Sequence, residues 1–365
     1  MTMTDKQPGL YIHVPFCNGK CPYCDFYSLI PSEEIKTAYT REVISRLDSL
    51  QGRRFATVYF GGGTPSQLGA DNIAAILNHI DYVSDAEITV ECNPSDSCAE
   101  NGFNFIMAAK AGVNRISMGL QSAVDIERKA LGRRAGTDDA MKAIHRINEA
   151  GINNISLDLM LGIPGQTAES LSKSIGFCIS AGIKHISAYM LKIEEGTPFG
   201  KNPPVVPEED EVCELYLQCC RELEKAGFKQ YEISNFALPG FESRHNLIYW
   251  HCDEYLGIGP AAHSFLDGKR FYFERNLDSF IAGAAPVDDG NGGGFEEYAM
   301  LALRLTEGLC DKNVFERFGF HLDPEIYRKA EKYVQNGMAV SDGKSIHLTP
   351  EGFLLSNTII ADLII

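Results

Sequence analysis

The sequence is poor in positive charge and contains one tryptophan, Trp250. Its 33 Lys and Arg residues are outnumbered by 49 Asp and Glu residues, which gives a formal net charge of −16. Proteins that bind nucleic acid present clusters of basic side chains to the phosphate backbone. We therefore expect no nucleic acid partner, and RNA-modifying activity is disfavoured.

Long apolar runs are also missing. No run is long enough to cross a bilayer, and the first eight residues lack the apolar core of a secretory signal. The 11 cysteines are odd in number and show no spacing typical of disulfides, which fits a reducing compartment. These features predict a cytoplasmic protein. Its 365 residues are enough for one large core and a small appended domain.

Three of the cysteines form a compact group. Cys17, Cys21 and Cys24 lie within eight residues, directly after the strand-like run at residues 10–15. Three thiolates can bind three irons of a cubane iron–sulfur cluster, and the fourth iron then remains open to another ligand. The spacing also allows a zinc site completed by a distant residue, or three reduced structural thiols.

A repeated pattern indicates an α/β fold. Helix-like segments end in Ala-Gly at positions 111–112, 150–151, 181–182 and 226–227, and an apolar strand follows each one. Glycine suits the left-handed conformation just past a helix end. The predicted strands are residues 57–60, 87–92, 114–118, 154–160, 185–190 and 231–235. Strands that alternate with helices predict a parallel sheet, here a partial, open β/α barrel.

Polar residues follow several of these strands. The second strand runs into Gly61-Gly62-Gly63-Thr64, and Glu91, Gln121 and Asp158 close the next three. Functional groups of β/α folds gather at the carboxyl ends of strands. Taken singly, each polar residue could cap a helix and the glycines could form a tight turn. Together with the cysteine loop they predict a pocket.

The cysteine spacing Cys-x3-Cys-x2-Cys, with Tyr23 before the third cysteine, resembles the radical S-adenosylmethionine (SAM) superfamily. The resemblance implies that Cys17, Cys21 and Cys24 bind a 4Fe–4S cluster whose open iron binds SAM. Similarity to the HemN/HemW group within this superfamily extends over essentially the whole chain. It is carried by Gly61-Gly62-Gly63-Thr64-Pro65-Ser66, Glu91-Cys92-Asn93-Pro94, Asn114-Arg115-Ile116-Ser117, Leu131-Gly132-Arg133, residues 158–164 and Glu195-Gly196-Thr197-Pro198.

This resemblance implies a set of SAM contacts. Glu91 is expected to hold the ribose hydroxyls, because a carboxylate is a natural paired acceptor for them. Ala135 stands where relatives usually have histidine, which leaves the role of the loop after Arg133 open. The implied contacts are Tyr11, Tyr23, Gly62, Gly63, Thr64, Glu91, Gln121, Arg133 and Asp158.

The group has two branches. Its oxygen-independent coproporphyrinogen III oxidases carry a further cysteine two residues after the third cluster ligand and a long N-terminal extension. This chain has Phe26 at that position and sixteen residues before Cys17. We therefore expect neither the further cysteine ligand nor the long N-terminal extension of the oxidases. The run at residues 245–250 instead resembles the His-Asn-x-x-Tyr-Trp signature of the HemW heme chaperones.

The signature implies heme binding by His245, Asn246, Tyr249 and Trp250. Histidine is a common axial ligand of heme iron, and aromatic rings can pack on a porphyrin face. Without the resemblance, the favoured interpretation is that His245 makes ordinary hydrogen bonds while Tyr249 and Trp250 fill the core.

The family resemblance thus implies a heme chaperone that binds a 4Fe–4S cluster, SAM and heme. It would deliver heme to apo-hemoproteins, with acceptors expected at the cytoplasmic membrane face. The alternative is a radical SAM enzyme that acts on a tetrapyrrole, such as coproporphyrinogen III oxidase. We expect no coproporphyrinogen III dehydrogenase activity and assign no catalytic residue.

The predicted domain organisation has four parts. Residues 1–240 form the radical SAM barrel, 241–287 a connecting region with the His-Asn-x-x-Tyr-Trp motif, 288–294 a Gly-rich linker, and 295–365 a small C-terminal domain. In this last part, helical spacing over 296–306 and 323–336 precedes a hairpin around Asp342-Gly343. The order resembles the winged-helix-like α+β domain of the family, and its acidic side chains indicate packing or partner binding.

Overall fold

The computed structural model describes residues 6–50, 52–99 and 102–364. Residues 1–5, which belong to the segment predicted to lack a signal core, lie outside this range. The strands are β1 (Gly9–Val14), β2 (Phe55–Gly62), β3 (Tyr82–Cys92), β4 (Arg115–Gln121), β5 (Asn154–Leu161), β6 (His185–Met190), β7 (Lys229–Gln230), β8 (Asn235–Ala237), β9 (Tyr255–Ile258), β10 (His263–Leu266), β11 (Lys269–Tyr272), β12 (Val287–Asn291), β13 (Leu309–Cys310), β14 (Ala339–Ser341) and β15 (Ser345–Leu348).

The helices connect and cover these strands. A short 3-10 helix spans Pro65–Leu68. The α-helices are α1 (Glu33–Asp48), α2 (Ala70–Leu77), α3 (Pro94–Ser97), α4 (Phe105–Lys110), α5 (Asp125–Ala130), α6 (Thr137–Glu149), α7 (Ala168–Ser180), α8 (Pro198–Lys201), α9 (Glu209–Lys225), α10 (Arg244–Trp250), α11 (Leu277–Ile281), α12 (Phe295–Ala302), α13 (Asp311–Phe318), α14 (Pro324–Gln335), α15 (Pro350–Leu354) and α16 (Ser356–Ile364).

Twelve strands form one sheet in the order β12-β11-β10-β9-β1-β2-β3-β4-β5-β6-β8-β7. Strands β1 to β6 pair in parallel with their sequence neighbours, as alternating strands and helices predict. Within the described part of the chain the sheet stays open, since β12 and β7 are its two edges. The predicted open α/β fold is therefore confirmed.

The Ala-Gly helix ends explain the sharp return from helix to strand. Gly112, Gly151, Gly182 and Gly227 have φ angles of 111°, 86°, 72° and 90°, in the left-handed region where a side chain is strained. Each glycine therefore ends a helix and aims the next segment back at the sheet.

The predicted strand at residues 231–235 is wrong. The chain forms the two short strands β7 and β8, which pair in antiparallel fashion, and β8 runs antiparallel to β6. The side chain of Glu232 causes the break, because it accepts a hydrogen bond from the Ser234 N–H at 2.8 Å and another from the Asn235 side chain. A local side-chain bond of this kind favours a turn over a continuous strand.

The segment predicted as a Gly-rich linker is partly ordered in the sheet. Residues 288–291 belong to the edge strand β12, which pairs with β11, and residues 292–294 lead directly into α12. The predicted linker is therefore corrected to a shorter connection. Beyond it, α12 and α14 and the hairpin β14–β15 confirm the predicted elements, and β13 completes a three-stranded antiparallel sheet.

Among the residues described, none of the helices combines the length and the apolar character that a membrane crossing would require.

Candidate functional site

The carboxyl ends of β2 to β6 and the cysteine loop enclose a cavity of about 350 Å³, which we call the strand-end cleft. It brings together the three cysteines and all but one of the implied SAM contacts. Its predicted lining residues are Cys17, Cys21, Tyr23, Cys24, Gly62, Gly63, Thr64, Glu91, Gln121, Arg133 and Asp158. Tyr11 does not line this cleft, so its contact with SAM stays a prediction.

Strand periodicity explains how the polar side chains reach one face. In a β-strand every second side chain points to the same side, and in β4 the residues at positions 115, 117, 119 and 121 all line the cleft. Of these four residues, the sequence predicted only Gln121. Arg115 and Ser117 were not predicted, although each lies an even number of residues before Gln121 on the same strand, and Tyr59 on β2 was not predicted either.

The cysteine loop presents its thiols at the cleft mouth. All three are partly exposed and free of disulfides. The Cys17 sulfur lies 3.4 Å from the Thr64 hydroxyl, and an Arg133 N–H donates to the Cys21 sulfur at 3.8 Å. Burial raises the pKa of Cys24 above its ordinary value. Among the described residues the three sulfurs form no group that could hold a single metal ion, whereas a cubane cluster takes one thiolate on each of three separate irons. The thiols therefore fit an iron–sulfur cluster better than a zinc ion.

The glycine run after β2 serves close packing. A Cβ on Gly63 would lie 2.5 Å from the Phe16 carbonyl oxygen, and one on Gly62 would meet the His13 ring at 2.7 Å. Gly62 also has a φ of 112°. The amides here bond within the protein, since Gly63 N–H donates to Val14 O at 2.9 Å and Gly62 N–H donates to Glu91. The glycines therefore let β2 and the cysteine loop approach each other.

Glu91 lies at the centre of the cleft. One carboxylate oxygen accepts from the Tyr59 hydroxyl at 2.7 Å and the other from Gly62 N–H at 3.2 Å. Burial raises the pKa of Glu91 to about 7, although the Tyr59 bond works in the opposite direction and Asp158 adds to the rise. Burial also raises the pKa of Asp158. The two carboxyls thus share a low-dielectric site that favours cationic or hydroxyl-bearing ligands.

Arg133 organises the opposite wall. It donates to Asn93 Oδ1 at 2.6 Å and also to the Gly119 carbonyl. A Cβ on Gly119 would lie 2.8 Å from the Gln121 amide nitrogen and 3.0 Å from Arg133, so glycine leaves room for both. Gln121 itself has a φ of 71°, a strained conformation that is typical of functional sites.

Arg115 is a buried cation in the lining of the cleft. It is 2 % exposed, and within the described residues its Nε has no hydrogen-bond partner. Burial opposes its charge, but Glu87 and then Tyr59 and other groups outweigh burial and raise the pKa of Arg115. The guanidinium therefore stays charged and supplies a fixed positive potential to the carboxylates above it.

The His-Asn-x-x-Tyr-Trp motif forms helix α10. Glu87 on β3 accepts from the backbone N–H groups of Arg244 at 3.1 Å and His245 at 3.0 Å, which fixes the helix N-terminus against the sheet. The His245 ring is 1 % exposed. Its Nδ1 bonds Thr57 Oγ1 and its Nε2 bonds the Tyr249 hydroxyl, both at 2.7 Å. Burial, and then the charge of Arg115, lowers the pKa of His245 to about 3.

These contacts separate the motif residues in space. Asn246 lines the strand-end cleft, whereas Tyr249 lines a second cavity of about 540 Å³. Trp250 is half-buried at the end of the helix. We call the second space the aromatic cavity; its walls include Tyr11, Phe26, Tyr249, Tyr255, Tyr272 and Phe273. Phe26, which is 66 % exposed, lines both cavities.

Two parts of the chain match known protein families. Residues 11–178 match the radical SAM superfamily, and residues 295–355 match the HemN C-terminal domain. The heme chaperone HemW of Bacillus subtilis is 34 % identical over 370 residues, which cover 96 % of this chain and 97 % of that protein. The Escherichia coli heme chaperone HemW is 39 % identical over 273 residues, covering 72 % of this chain and 71 % of the relative.

The chain belongs to the HemW family. The HemW protein of Haemophilus influenzae is 33 % identical, with 96 % of each chain covered. The solved structure of coproporphyrinogen III oxidase HemN from Escherichia coli, a radical SAM enzyme, superposes with a TM-score of 0.81 and 19 % identity over 98 % of this chain and 90 % of that one. This likeness shows the shared fold.

Family membership confirms the resemblance stated from the motifs. Radical SAM proteins use a 4Fe–4S cluster and SAM, so membership implies both cofactors for this HemW-family chain. The assignment of individual residues to the cofactors, and of any residue to heme, remains a prediction.

Proposed function

We propose that this HemW-family protein is a heme chaperone, which binds heme beside a 4Fe–4S cluster and SAM and delivers it to apo-hemoproteins. The full-length relatives carry the name heme chaperone HemW. The observation that carries the proposal is the position of α10. Its Asn246 lines the strand-end cleft and its Tyr249 lines the aromatic cavity, so one short motif joins a cofactor site to a second ligand-sized space.

The strand-end cleft would hold the two cofactors. Cys17, Cys21 and Cys24 would bind the cluster, which supplies one-electron reduction to SAM when both are bound. Glu91 would accept hydrogen bonds from the ribose hydroxyls through the oxygen lone pairs that Tyr59 and Gly62 leave free. Arg133, fixed by Asn93, keeps a positive charge beside the cysteine loop. Tyr23, Gly63, Thr64, Gln121 and Asp158 would form the remaining walls.

Within the motif, Tyr249 and His245 would contribute to heme recognition in different ways. Tyr249 lies on the cavity wall, where its ring meets that of Tyr255 in an edge-to-face contact with centroids 4.5 Å apart. His245 lies behind it and holds the Tyr249 hydroxyl. Direct ligation of iron by His245 would break at least one of its two short hydrogen bonds and carry a buried ring to the surface. We therefore propose that His245 acts as a positioning residue for Tyr249.

Phe26 favours the chaperone over the oxidase. At the position where oxidases of this group carry a further cysteine, this chain exposes an aromatic ring to both cavities. A phenyl ring can pack on a porphyrin but offers neither a metal ligand nor a proton donor.

We further propose that the protein works in the cytoplasm and transfers heme to acceptors at the membrane face. All 11 cysteines are free, which fits a reducing compartment. The acidic balance of the chain, with a net charge of −16, disfavours direct adsorption to anionic lipid. The acceptor protein, and not the lipid surface, would then provide the docking site.

Trp250 allows a direct test of heme binding, because it is the single tryptophan and follows Tyr249. Bound heme should quench its emission by energy transfer, and the titration should saturate at one heme per chain. Tyr249→Ala should weaken this quenching. Tyr333→Ala is the matched control, because Tyr333 is a half-buried tyrosine in the C-terminal domain that bonds Asp362. Quenching that never saturates would show non-specific adsorption and contradict the proposal.

A further inference from the structure

The aromatic cavity contains a histidine that the known motif does not include. Its volume of about 540 Å³ falls within the range of about 300–1,000 Å³ that is typical of small-molecule sites. Its walls come from β1, the cysteine loop, α10 and the β9–β11 strands, so it lies beside the cluster loop. Rings of tyrosine and phenylalanine form most of these walls, which suits a flat apolar macrocycle.

His263 lies on this wall at the start of β10. It pairs across the ladder with Tyr272 on β11, and the two rings stack with centroids 5.1 Å apart and planes at 24°. The His263 side chain is exposed. Among the residues that the structure describes, no hydrogen bond engages either of its ring nitrogens, so a lone pair is free to bind a metal.

The ring nitrogens of the other two nearby histidines already contact protein groups. His13 also lines the cavity, but its Nδ1 bonds the Tyr11 hydroxyl at 3.0 Å and its Nε2 lies 3.3 Å from the Tyr27 carbonyl oxygen. His245 bonds Thr57 and Tyr249 and is buried. Of these three rings, His263 alone can reach an iron atom in the cavity without losing an existing bond.

The cavity also has a cationic side chain, Arg275, that could bind a heme propionate. Arg275 lines the cavity, and its side chain is 63 % exposed. It forms a long ion pair of 3.5 Å with Asp25, the residue after the third cysteine. A guanidinium binds carboxylates through paired hydrogen bonds, and a propionate would compete with Asp25 for it. Binding at this cavity would thereby affect the loop that carries Cys24.

We propose that the aromatic cavity is the heme site, with His263 as the axial ligand of the iron and Arg275 as the partner of a propionate. This inference rests on the proposed function, since heme is the cargo that the function requires. Tyr272 supports the His263 ring from behind, and Tyr249, held by His245, forms part of the facing wall. The family motif then shapes the site, and a residue outside the motif binds the metal.

The test is a heme titration of the cluster-containing protein, followed by the Soret band and Trp250 emission. His263→Ala should shift the Soret maximum and weaken heme binding by at least about tenfold. Added imidazole should return the Soret maximum to the wild-type position, because it restores the missing nitrogen ligand. His145→Ala is the matched control, an exposed histidine on α6 whose replacement should change neither signal.

His245→Gln separates the two histidines. We expect a wild-type Soret maximum with weaker binding, because glutamine retains some of the bonds that position Tyr249. A Soret shift in this variant, with His263→Ala unchanged, would overturn the inference and leave heme binding intact. Identical spectra and affinities in the wild type and both variants would also overturn it. Absence of saturable binding by the wild type would instead contradict the proposed function itself.

Discussion

Replacing Cys17, Cys21 and Cys24 together by alanine is expected to abolish the iron–sulfur cluster. After anaerobic reconstitution, the wild type should contain iron and sulfide with the broad charge-transfer absorbance of a cubane cluster, and the triple variant should contain neither. The reason is chemical, because thiolates are the ligands that hold such clusters and these three line the same cleft. Loss of cluster should also remove the open iron and with it most of the SAM affinity.

The chain offers a matched control for this experiment. Cys98, Cys213 and Cys310 are likewise free and partly exposed, and they lie outside the strand-end cleft. Their joint replacement by alanine should leave iron, sulfide and absorbance at wild-type levels. A cysteine-loop variant that retained its iron and sulfide, or a control variant that lost them, would show that the cluster is bound elsewhere.

Replacing Glu91 by glutamine is expected to weaken SAM binding by about 100-fold at about pH 8, in line with the loss of charged hydrogen bonds to two hydroxyls. The wild type should also bind about tenfold more weakly at about pH 6 than at about pH 8. The sign follows from the raised pKa of about 7. Below it Glu91 is mostly protonated and loses an acceptor site, and above it both oxygens accept. The Gln variant should show no such pH step.

Glu232→Gln is the control for the pH step. Glu232 is also buried, and burial raises its pKa to about 7, but it lies in the turn between β7 and β8 and outside the strand-end cleft. Its replacement should keep the pH dependence of SAM affinity. If equilibrium dialysis found the same step in Glu91→Gln as in the wild type, the step would belong to another group and Glu91 would lose its role.

The sequence predicted the structure best at positions where a residue type has a single well-defined structural or chemical role. The Ala-Gly helix ends predicted the chain reversals, and the positive φ angles of these glycines in the structure agree. The clustered cysteines and the polar strand ends predicted one pocket, and the structure brings them together in the strand-end cleft. Parallel strand ends must lie at one edge of a sheet, so these side chains could be grouped without knowing the fold in detail.

Two features of the fold, a turn and an edge strand, depend on contacts that the local sequence pattern does not predict. The turn at Glu232 arises from side-chain bonds to Ser234 and Asn235, and these compete with an otherwise strand-like sequence. Residues 288–291 look like a linker by composition, yet they pair along the edge of the sheet. Edge strands require little apolar character, because one of their sides faces solvent.

The surroundings of the histidines proposed to act in heme binding could not be predicted from local sequence either. The motif drew attention to His245, but the surroundings of a ring decide whether its nitrogens are free, and Thr57 lies far away in sequence. Arg115 could have been included, because it lies an even number of residues before Gln121 on the same strand. His263 could not, since its stacking partner and the cavity beside it arise only from the strand pairing.

Heme transfer from the protein to an acceptor is the property that tests the chaperone function most directly. The cluster-containing chain, loaded with one heme, is mixed anaerobically with the apo form of a membrane b-type cytochrome, and excess apomyoglobin in a parallel sample measures spontaneous release. The same preparation is incubated with coproporphyrinogen III, SAM and a strong reductant. We predict transfer to the cytochrome at a rate that rises with its concentration and exceeds spontaneous release, with no protoporphyrinogen IX formed. Transfer no faster than release, together with Cys24-dependent formation of protoporphyrinogen IX, would contradict the chaperone and identify an oxidase.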